Sequence, residues 1–176
     1  MQTSFTLAQL ATPEIAEAER ILRKCVHCGF CTATCPTYVL LGDELDSPRG
    51  RIMLIKAMLE TTRAPSAKVV SHIDRCLSCL SCMTTCPSGV DYRRLVDRAR
   101  AHIDDTFQRP WAETMLRGLL AIVLPRPALF RLALLASKAL PGFLSRLLPG
   151  RLAGLVAMAP ATVPSPSTIG SPQTHG

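Results

Sequence analysis

All eight cysteines of this 176-residue chain lie in two runs of identical spacing. The first run covers residues 25–36, the second covers residues 76–87, and both read C-x2-C-x2-C-x3-C-P. Three thiolates spaced three residues apart can bind a cubane from one tight loop, and a fourth thiolate from elsewhere completes the site. The spacing therefore predicts two 4Fe-4S clusters and, with them, one-electron redox chemistry.

The fourth cysteine of each run is expected to bind the cluster of the other run. This crossing is usual where two such runs occur in one chain, and the proline that follows turns the backbone away. Each cluster then takes three cysteines from one run and one from the other. We assign the first cluster to Cys25, Cys28, Cys31 and Cys86, and the second to Cys76, Cys79, Cys82 and Cys35.

Two other cysteine chemistries compete with this interpretation. Structural zinc sites use two separated C-x2-C pairs, so a triplet with an offset fourth cysteine fits them poorly. A disulfide framework is typical of short secreted chains. Residues 1–10 contain neither the basic region nor the apolar run of an export signal, and we expect a cytoplasmic protein with reduced thiols.

Four helices are predicted to position the two runs. Apolar residues recur at helical steps in four stretches, which begin after Thr12, Ser47, Ser66 and Asp91, all residues that favour a helix start. The first helix should end near Lys24 and lead into the first run, and the second should end near Thr62. The apolar stripes are Ile15, Ala18 and Leu22; Ile52, Ile55 and Leu59; Val69, Val70 and Ile73; and Leu95, Ala99 and Ile103.

The fold class follows from what separates the runs. The 40 residues between Cys35 and Cys76 contain helical patterns and no hairpin signal, unlike a ferredoxin built on short strands. The distance from Cys25 to Cys76 gives an internal repeat of 51 residues. We therefore predict an all-α fold in which residues 1–108 form a helical two-cluster ferredoxin domain.

The start of the second helix breaks local rules. Arg49 and Arg51 lie in a first turn, where positive charge opposes the helix dipole, and Gly50 costs about 1 kcal/mol relative to alanine inside a helix. Our hypothesis is that Gly50 permits a close backbone approach while both arginines meet carboxylates, cluster charge or a partner subunit. The alternative is a solvent-exposed basic helix start.

Two further residues flank the first cysteine run. His27 lies inside its loop, where a histidine can tune a cluster through a hydrogen bond to sulfur or couple a proton to the electron. The alternative is that His27 is simply packed or exposed, as histidines usually are. Four cysteines per cluster leave no coordination position for His27 to fill. Tyr38 follows the run, and no role is assigned to it.

The composition changes at residue 109. Residues 1–108 contain 13 basic and 12 acidic side chains, whereas residues 109–176 contain seven basic side chains and one acid, Glu113. Residues 109–160 are rich in Leu and Ala, and short helices are predicted at about 111–124, 128–140 and 150–159. The Pro-, Ser- and Thr-rich residues 161–176 are predicted to be disordered.

The apolar basic segment 109–160 is predicted to contact another protein. No uninterrupted apolar stretch reaches the roughly 20 residues that span a bilayer, because Arg126, Arg131, Lys138, Arg146 and Arg151 intervene. Arg131 and Lys138 form a narrow basic stripe on an apolar helix, which suits docking on a protein or, alternatively, rest on an anionic lipid surface. Nucleic acid is the weakest option, since aromatic residues are few and no binding module is present.

The text around the cysteines resembles the iron-sulfur subunit of bacterial glycolate oxidase. The resemblance is carried by residues 25–38 and 41–52, continues through residues 86–90 and 125–128, and covers roughly residues 20 to 130. The cysteine runs alone would also fit the related subunits of anaerobic glycerol-3-phosphate dehydrogenase and of lactate-utilisation complexes. Val26-His27 and the segment from Leu41 to Ile52 favour the glycolate oxidase subunit over these related subunits.

The resemblance implies a cytoplasmic complex at the inner face of the membrane. In such a complex FAD-binding subunits oxidise glycolate to glyoxylate, and this subunit passes electrons towards quinone. FAD is expected on the partners only, and no catalytic residue is assigned here, because the chain lacks a glycine-rich dinucleotide fingerprint and a catalytic constellation. A stand-alone dicluster ferredoxin is the alternative.

One departure from the family concerns the C-terminal part. Family members generally continue into a cysteine-rich region with paired CCG-type motifs, whereas no cysteine follows Cys86 here. The expectation is therefore either a fragment or a short form of such a subunit.

Overall fold

The computed structural model describes residues 1–61, 63–139, 150–160 and 162–163. The chain divides into two compact units, residues 1–108 and residues 109–176. In the described part of the chain, all regular secondary structure is helical. The predicted all-α fold class is therefore confirmed.

The first unit contains seven α-helices and one short 3-10 turn among its described residues. The four predicted helices are α2, α4, α5 and α7, and α2 ends at Lys24 as predicted. Thr62, the predicted end of α4, lies outside the described residues. The elements are α1 (Leu7–Leu10), α2 (Pro13–Lys24), α3 (Pro36–Leu41), the 3-10 turn (Glu44–Asp46), α4 (Pro48–Thr61), α5 (Ala67–Asp74), α6 (Ser81–Thr84) and α7 (Tyr92–Thr106).

Helix α7 is the element on which the others pack. Helices α2, α4 and α5 all contact it, because its apolar residues recur at helical steps and form one continuous buried face. The predicted stripes supply most of the core, with Ile15 and Val69 only partly buried at its edge. The core also takes in Cys25 and Cys82, so the two cysteine runs are anchored in it.

The helix starts follow the predicted capping chemistry in three of four cases. The side chains of Ser66 and Asp91 accept hydrogen bonds from backbone N–H groups of α5 and α7, and Ser47 Oγ accepts one from the Gly50 N–H at 2.9 Å. Thr12 precedes Pro13 as predicted, but its side chain makes no capping hydrogen bond. At this end the proline alone supplies the local preference for a helix start.

Gly50 lies where α4 passes directly over the 3-10 turn. A Cβ atom at this position would lie 2.0 Å from the carbonyl oxygen of Glu44 and 3.0 Å from the Cα of Leu45. Only a residue without a side chain permits this approach. The hypothesis of a close backbone approach at Gly50 is therefore confirmed.

The second unit contains helices α8 (Trp111–Val123), α9 (Pro127–Ala139) and α10 (Gly150–Ala157) among its described residues. These bounds agree closely with the three predicted helices. Arg146, the side chains of Lys138 and Arg151, and nearly all of the predicted disordered tail lie outside the described residues. In the described ranges no single helix is long and apolar enough to cross a membrane. Taken together, α8 and residues 127–137 have the length and apolar composition of one span, but a bend of 119° separates them.

Replacing Gly50 with alanine should destabilise the first unit. The added methyl group forces α4 and the 3-10 turn apart, and overpacking of this kind costs about 1–3 kcal/mol or more. Denaturant unfolding of anaerobically prepared protein measures the loss. Gly118→Ala is the matched control, because a Cβ there meets nothing within 4 Å and alanine is the better helix former. Equal stability of the two variants would contradict the packing argument.

Candidate metal centre

The eight thiols line two neighbouring cavities in the first unit. The first cavity, with about 430 Å³ of space including its open side, is lined by Cys25, Cys28, Cys31 and Cys86. The second cavity, with about 310 Å³, is lined by Cys35, Cys76 and Cys79. Cys82 lines both cavities. The structure thus places the fourth cysteine of each run beside the first three of the other run.

The two cysteine loops repeat one backbone conformation. The residue before the second cysteine is left-handed in both loops, with φ of 55° at His27 and 52° at Ser78. The residue after the second cysteine is also left-handed, with φ of 86° at Gly29 and 59° at Leu80. Such left-handed residues turn successive N–H groups towards one side of a loop and form an anion-binding concavity. A set of thiolates is an anionic ligand set that this concavity suits.

The two loops contact each other through corresponding threonines. Thr34 and Thr85 precede the fourth cysteine of their runs, and their hydroxyl oxygens lie 3.2 Å apart. Both hydroxyls also lie near the carbonyl oxygen of Ser81, at 3.5 Å. The two cavities share Pro48, Cys82 and Tyr92 as wall residues. Groups bound in the two cavities would therefore be immediate neighbours.

The thiols differ in exposure and in acidity. Cys28 and Cys79, the second cysteine of each run, are exposed. Burial, with the neighbouring thiols, raises the pKa of Cys82 to about 12, and burial also raises the pKa of Cys31. Hydrogen bonds from the backbone and side chain of Ser81 lower the pKa of Cys79. In metal-free protein near neutral pH the thiols of Cys82 and Cys31 therefore hold their protons, and metal binding must release them.

A buried ion-pair network stands behind the second cavity. Arg51 is 1% exposed and Asp46 is 0% exposed, and Arg51 Nη2 donates to Asp46 Oδ1 at 3.2 Å. His72 Nδ1 lies 3.0 Å from the same oxygen, and Arg75 Nη1 donates to Asp46 Oδ2 at 2.9 Å. Burial opposes ionisation of Asp46, but the hydrogen bonds from His72 and Arg75 outweigh it and lower the pKa of the carboxyl group.

This network reaches the sulfur of Cys35. Arg51 Nη1 donates to Thr37 Oγ1 at 3.0 Å and lies 3.8 Å from Cys35 Sγ. The hydroxyl of Thr37 lies 3.2 Å from the same sulfur and donates to the carbonyl oxygen of Asp46 at 3.0 Å. Arg51 Nε donates to the carbonyl oxygen of His72 at 2.7 Å. Arg51 therefore ties α3, the 3-10 turn, α4 and α5 to one predicted ligand.

Asp43, Asp46 and His72 bring oxygen and nitrogen atoms within metal-binding distance of one another. Asp46 already faces the cations Arg51 and Arg75, which oppose a further cation there. The network is consequently a structural ion pair and the cavities are the candidate metal centre.

Arg49 belongs to the first cavity. Its Nε pairs with Glu44 Oε1, and both side chains are partly exposed. Its guanidinium also lies against the first cysteine loop, since a Cβ on Gly29 would come within 2.6 Å of Arg49 Nη1. The hypothesis that both arginines of this segment meet carboxylates is confirmed, with Glu44 as the partner of Arg49 and Asp46 as the partner of Arg51.

His27 lines the first cavity but its ring faces Met1. His27 Nε2 lies 3.0 Å from Met1 Sδ, and in the described part of the chain its ring makes no hydrogen bond to a cysteine. Burial lowers the pKa of His27, and the charges of the N-terminus and Arg49 add to the effect. The packing interpretation of His27 therefore fits the structure better than the hydrogen bond to sulfur. Tyr38 is half-buried in α3.

Sequence reasoning missed four residues of the site. Tyr92 is buried, and its hydroxyl donates towards Cys76 Sγ at 3.7 Å. Thr37, Asp46 and His72 enter only through the Arg51 network. The unusual first turn of the helix around Arg51 indicated that its arginines have specific partners. No local sequence pattern identified Thr37 or His72 as members of the network.

The donor set fits iron-sulfur clusters. All eight cysteines are free, and each cavity presents at least four thiols. Thiolates are the usual ligands of such clusters, and the convergent N–H groups stabilise their negative charge.

The comparisons with known proteins agree with this site. Residues 24–90 match the family model of the 4Fe-4S dicluster domain. The chain therefore carries a 4Fe-4S dicluster domain, and the predicted cofactor of two 4Fe-4S clusters is confirmed. No solved structure was found to match the chain.

Three curated relatives are similar to the chain. The glycolate oxidase iron-sulfur subunit of Escherichia coli K12 is 55% identical over 131 residues, which is 74% of this chain and 32% of that protein. The probable glycolate oxidase iron-sulfur subunit of Bacillus subtilis 168 is 40% identical over 97 residues, 54% of this chain and 22% of that protein. One subunit of the ferredoxin/F420H2-dependent CoB-CoM heterodisulfide reductase of Methanosarcina acetivorans is 31% identical over 71 residues, 39% of this chain and 38% of that protein.

The predicted resemblance to glycolate oxidase iron-sulfur subunits is thereby confirmed. The chain spans about a third of the length of the Escherichia coli relative and less of the Bacillus subtilis one.

Asp46→Asn should destabilise the first unit strongly. The substitution leaves the Arg51 guanidinium buried without its anion, and breaking one side of a buried pair costs about 3–5 kcal/mol. Chemical denaturation measures the loss. Glu44→Gln is the control, since the pair of Glu44 with Arg49 is partly exposed and screened by water. A loss for Asp46→Asn no larger than that for Glu44→Gln would show that the network contributes little.

Cys79 should be alkylated faster than Cys82 in metal-free protein near neutral pH. The lowered pKa and exposure of Cys79 favour its reactive thiolate, whereas the thiol of Cys82 stays protonated and buried. Timed iodoacetamide labelling with peptide mass spectrometry gives both rates. Similar rates would mean that the loops lose this geometry when metal is absent.

Proposed function

We propose that this chain, which carries a 4Fe-4S dicluster domain and resembles the iron-sulfur subunits of bacterial glycolate oxidase, is the electron-transfer subunit of a 2-hydroxy-acid dehydrogenase. Its substrate is glycolate, oxidised to glyoxylate on FAD-binding partner subunits, and its acceptor side leads towards quinone. The observation that carries the proposal is the pair of adjacent thiol-lined cavities with common walls. The similarity to the Escherichia coli and Bacillus subtilis proteins supports the choice of enzyme.

The ligand assignment is part of this proposal. Cys25, Cys28, Cys31 and Cys86 bind one cluster, and Cys76, Cys79, Cys82 and Cys35 bind the other. The lining of the two cavities supports the crossing of Cys35 and Cys86. When bound, the two clusters would supply one-electron steps, which suit the stepwise oxidation of a flavin that has gathered two electrons.

The protein contributes positions, charges and exclusion of water. The buried thiols Cys25 and Cys82 hold the inner side of the centres in the apolar core, and the buried Cys35 lies against the Arg51 network. The exposed thiols Cys28 and Cys79 lie on the outer side of each centre. We propose that these two outer sides are where electrons enter and leave, because transfer to another chain requires a short path to the surface.

The second unit is proposed to dock on a partner subunit. Helix α8 carries Trp111, Met115, Leu119 and Ile122 at helical steps, and each of them is more than half exposed. Glu113 on the same helix pairs with Arg109 and Arg117. A continuous apolar face beside paired charges suits a protein surface, while an anionic membrane surface at the inner face of the cell membrane is the second candidate.

The assembly is tested by co-expression with flavoprotein subunits encoded beside this chain. We expect a stable complex whose iron-sulfur signals appear in electron paramagnetic resonance when glycolate is added without oxygen. Glycerol 3-phosphate and lactate serve as the substrate controls, since related complexes oxidise them. A chain that purifies as a monodisperse monomer and exchanges electrons with unrelated carriers would instead be a stand-alone ferredoxin.

The crossed ligand assignment is tested with two double variants. Cys28→Ala with Cys86→Ala should damage one centre only and leave about four of about eight irons per chain. Cys28→Ala with Cys35→Ala removes two thiols from the same run and should damage both centres. Iron analysis and low-temperature electron paramagnetic resonance of anaerobic samples distinguish the variants. The reverse pattern would mean that each run binds its own cluster with four cysteines.

A further inference from the structure

The two cavities differ in the side chains that face the cysteine sulfurs. At the second cavity, Cys35 Sγ lies 3.8 Å from Arg51 Nη1 and 3.2 Å from the Thr37 hydroxyl. Cys76 Sγ lies 3.7 Å from the Tyr92 hydroxyl. Two side-chain donors, Arg51 from α4 and Tyr92 from α7, therefore point at sulfurs of one cavity. The Thr37 hydroxyl lies beside Cys35 Sγ but donates its proton to the Asp46 carbonyl oxygen.

Backbone groups serve this purpose at the first cavity. The Val90 N–H donates to Cys86 Sγ at 3.5 Å, and the backbone N–H of Arg49 favours the thiolate of Cys31. In the described ranges no side-chain hydroxyl or guanidinium makes a hydrogen bond to a sulfur of Cys25, Cys28, Cys31 or Cys86.

The second cavity also has more unscreened positive charge near its sulfurs than the first cavity. Arg51 is 1% exposed and lies between Cys35 Sγ and Asp46, so little water screens its charge from the sulfur. Asp46 offsets one positive charge, but Arg75 adds a second on the far side of the carboxylate, and the three groups together carry a net positive charge. Arg49 at the first cavity is partly exposed and paired with Glu44, which reduces its effect.

From this difference we infer that the two centres are inequivalent, with Arg51 and Tyr92 raising the reduction potential of the centre held by Cys35, Cys76, Cys79 and Cys82 above that of the other. One-electron reduction adds one negative charge, which a buried cation and donors to sulfur stabilise. The inference rests on the proposed function and gives the relay a direction: the first cavity is the donor side, and the second cavity is where the electron rests.

Tyr92 offers the cleanest test because its hydroxyl makes a single side-chain contact with sulfur. The experiment is a redox titration of the anaerobically prepared full chain, followed by electron paramagnetic resonance. The variant with Cys28→Ala and Cys86→Ala, which keeps the second centre, identifies which signal belongs to it. We expect that signal to have the higher potential, and Tyr92→Phe to lower its potential while the other potential stays within error.

Tyr38→Phe is the matched control, and it should move neither potential. Arg51→Gln should lower the potential of the second centre further than Tyr92→Phe, whereas Arg51→Lys, which keeps the charge, should restore part of the loss. If the Arg51 variants fail to fold, Tyr92→Phe alone decides. Equal potentials in the unmodified chain, or a Tyr92→Phe shift in neither or both signals, would overturn the inference while two clusters remain bound. Loss of the clusters themselves would instead count against the proposed function.

Discussion

The central constraint on this fold is that two cysteine runs offset by 51 residues must together line the same two cavities. Neither cysteine run lines a cavity by itself, so helices α2, α4 and α5 pack around α7 and hold the two loops together. Thr34 and Thr85 make the direct contact between the loops. The hydrophobic core is continuous with the cavity walls, because Cys25 and Cys82 line the cavities and also pack in the core. Stability and cofactor binding are consequently two aspects of one packing arrangement.

The buried arginine extends this arrangement from geometry to electrostatics. Burying an ion pair costs desolvation energy, so the pair of Arg51 and Asp46 is weak evidence of added stability. The pair also places the Arg51 guanidinium 3.8 Å from Cys35 Sγ, where a cation stabilises negative charge on the sulfur. The close approach at Gly50 belongs to the same design, because it brings α4 down onto the 3-10 turn that carries Asp46. Residues 46–51 thus supply the close packing at Gly50 and place a buried cation beside Cys35.

The sequence was most informative where the signal was periodic or chemically strict. The end of helix α2 at Lys24 and the capping of α7 by Asp91 could both be predicted, and the spacing of the cysteines predicted two 4Fe-4S clusters. Helices α1, α3 and α6 and the 3-10 turn were missed because three to six residues are too few for a helical period. His72 and Tyr92 were missed for a different reason: their roles depend on atoms 26 and 16 residues away, which come together only in the folded chain.

The proposed electron transfer requires iron in both cavities, and anomalous diffraction at the iron edge from anaerobically grown crystals measures its position directly. We expect two four-iron peaks, one in each cavity, with Cys86 ligating the cluster of the first run and Cys35 that of the second. Four ligands from a single run at either peak would contradict the account. A zinc edge in place of an iron edge would contradict it as well.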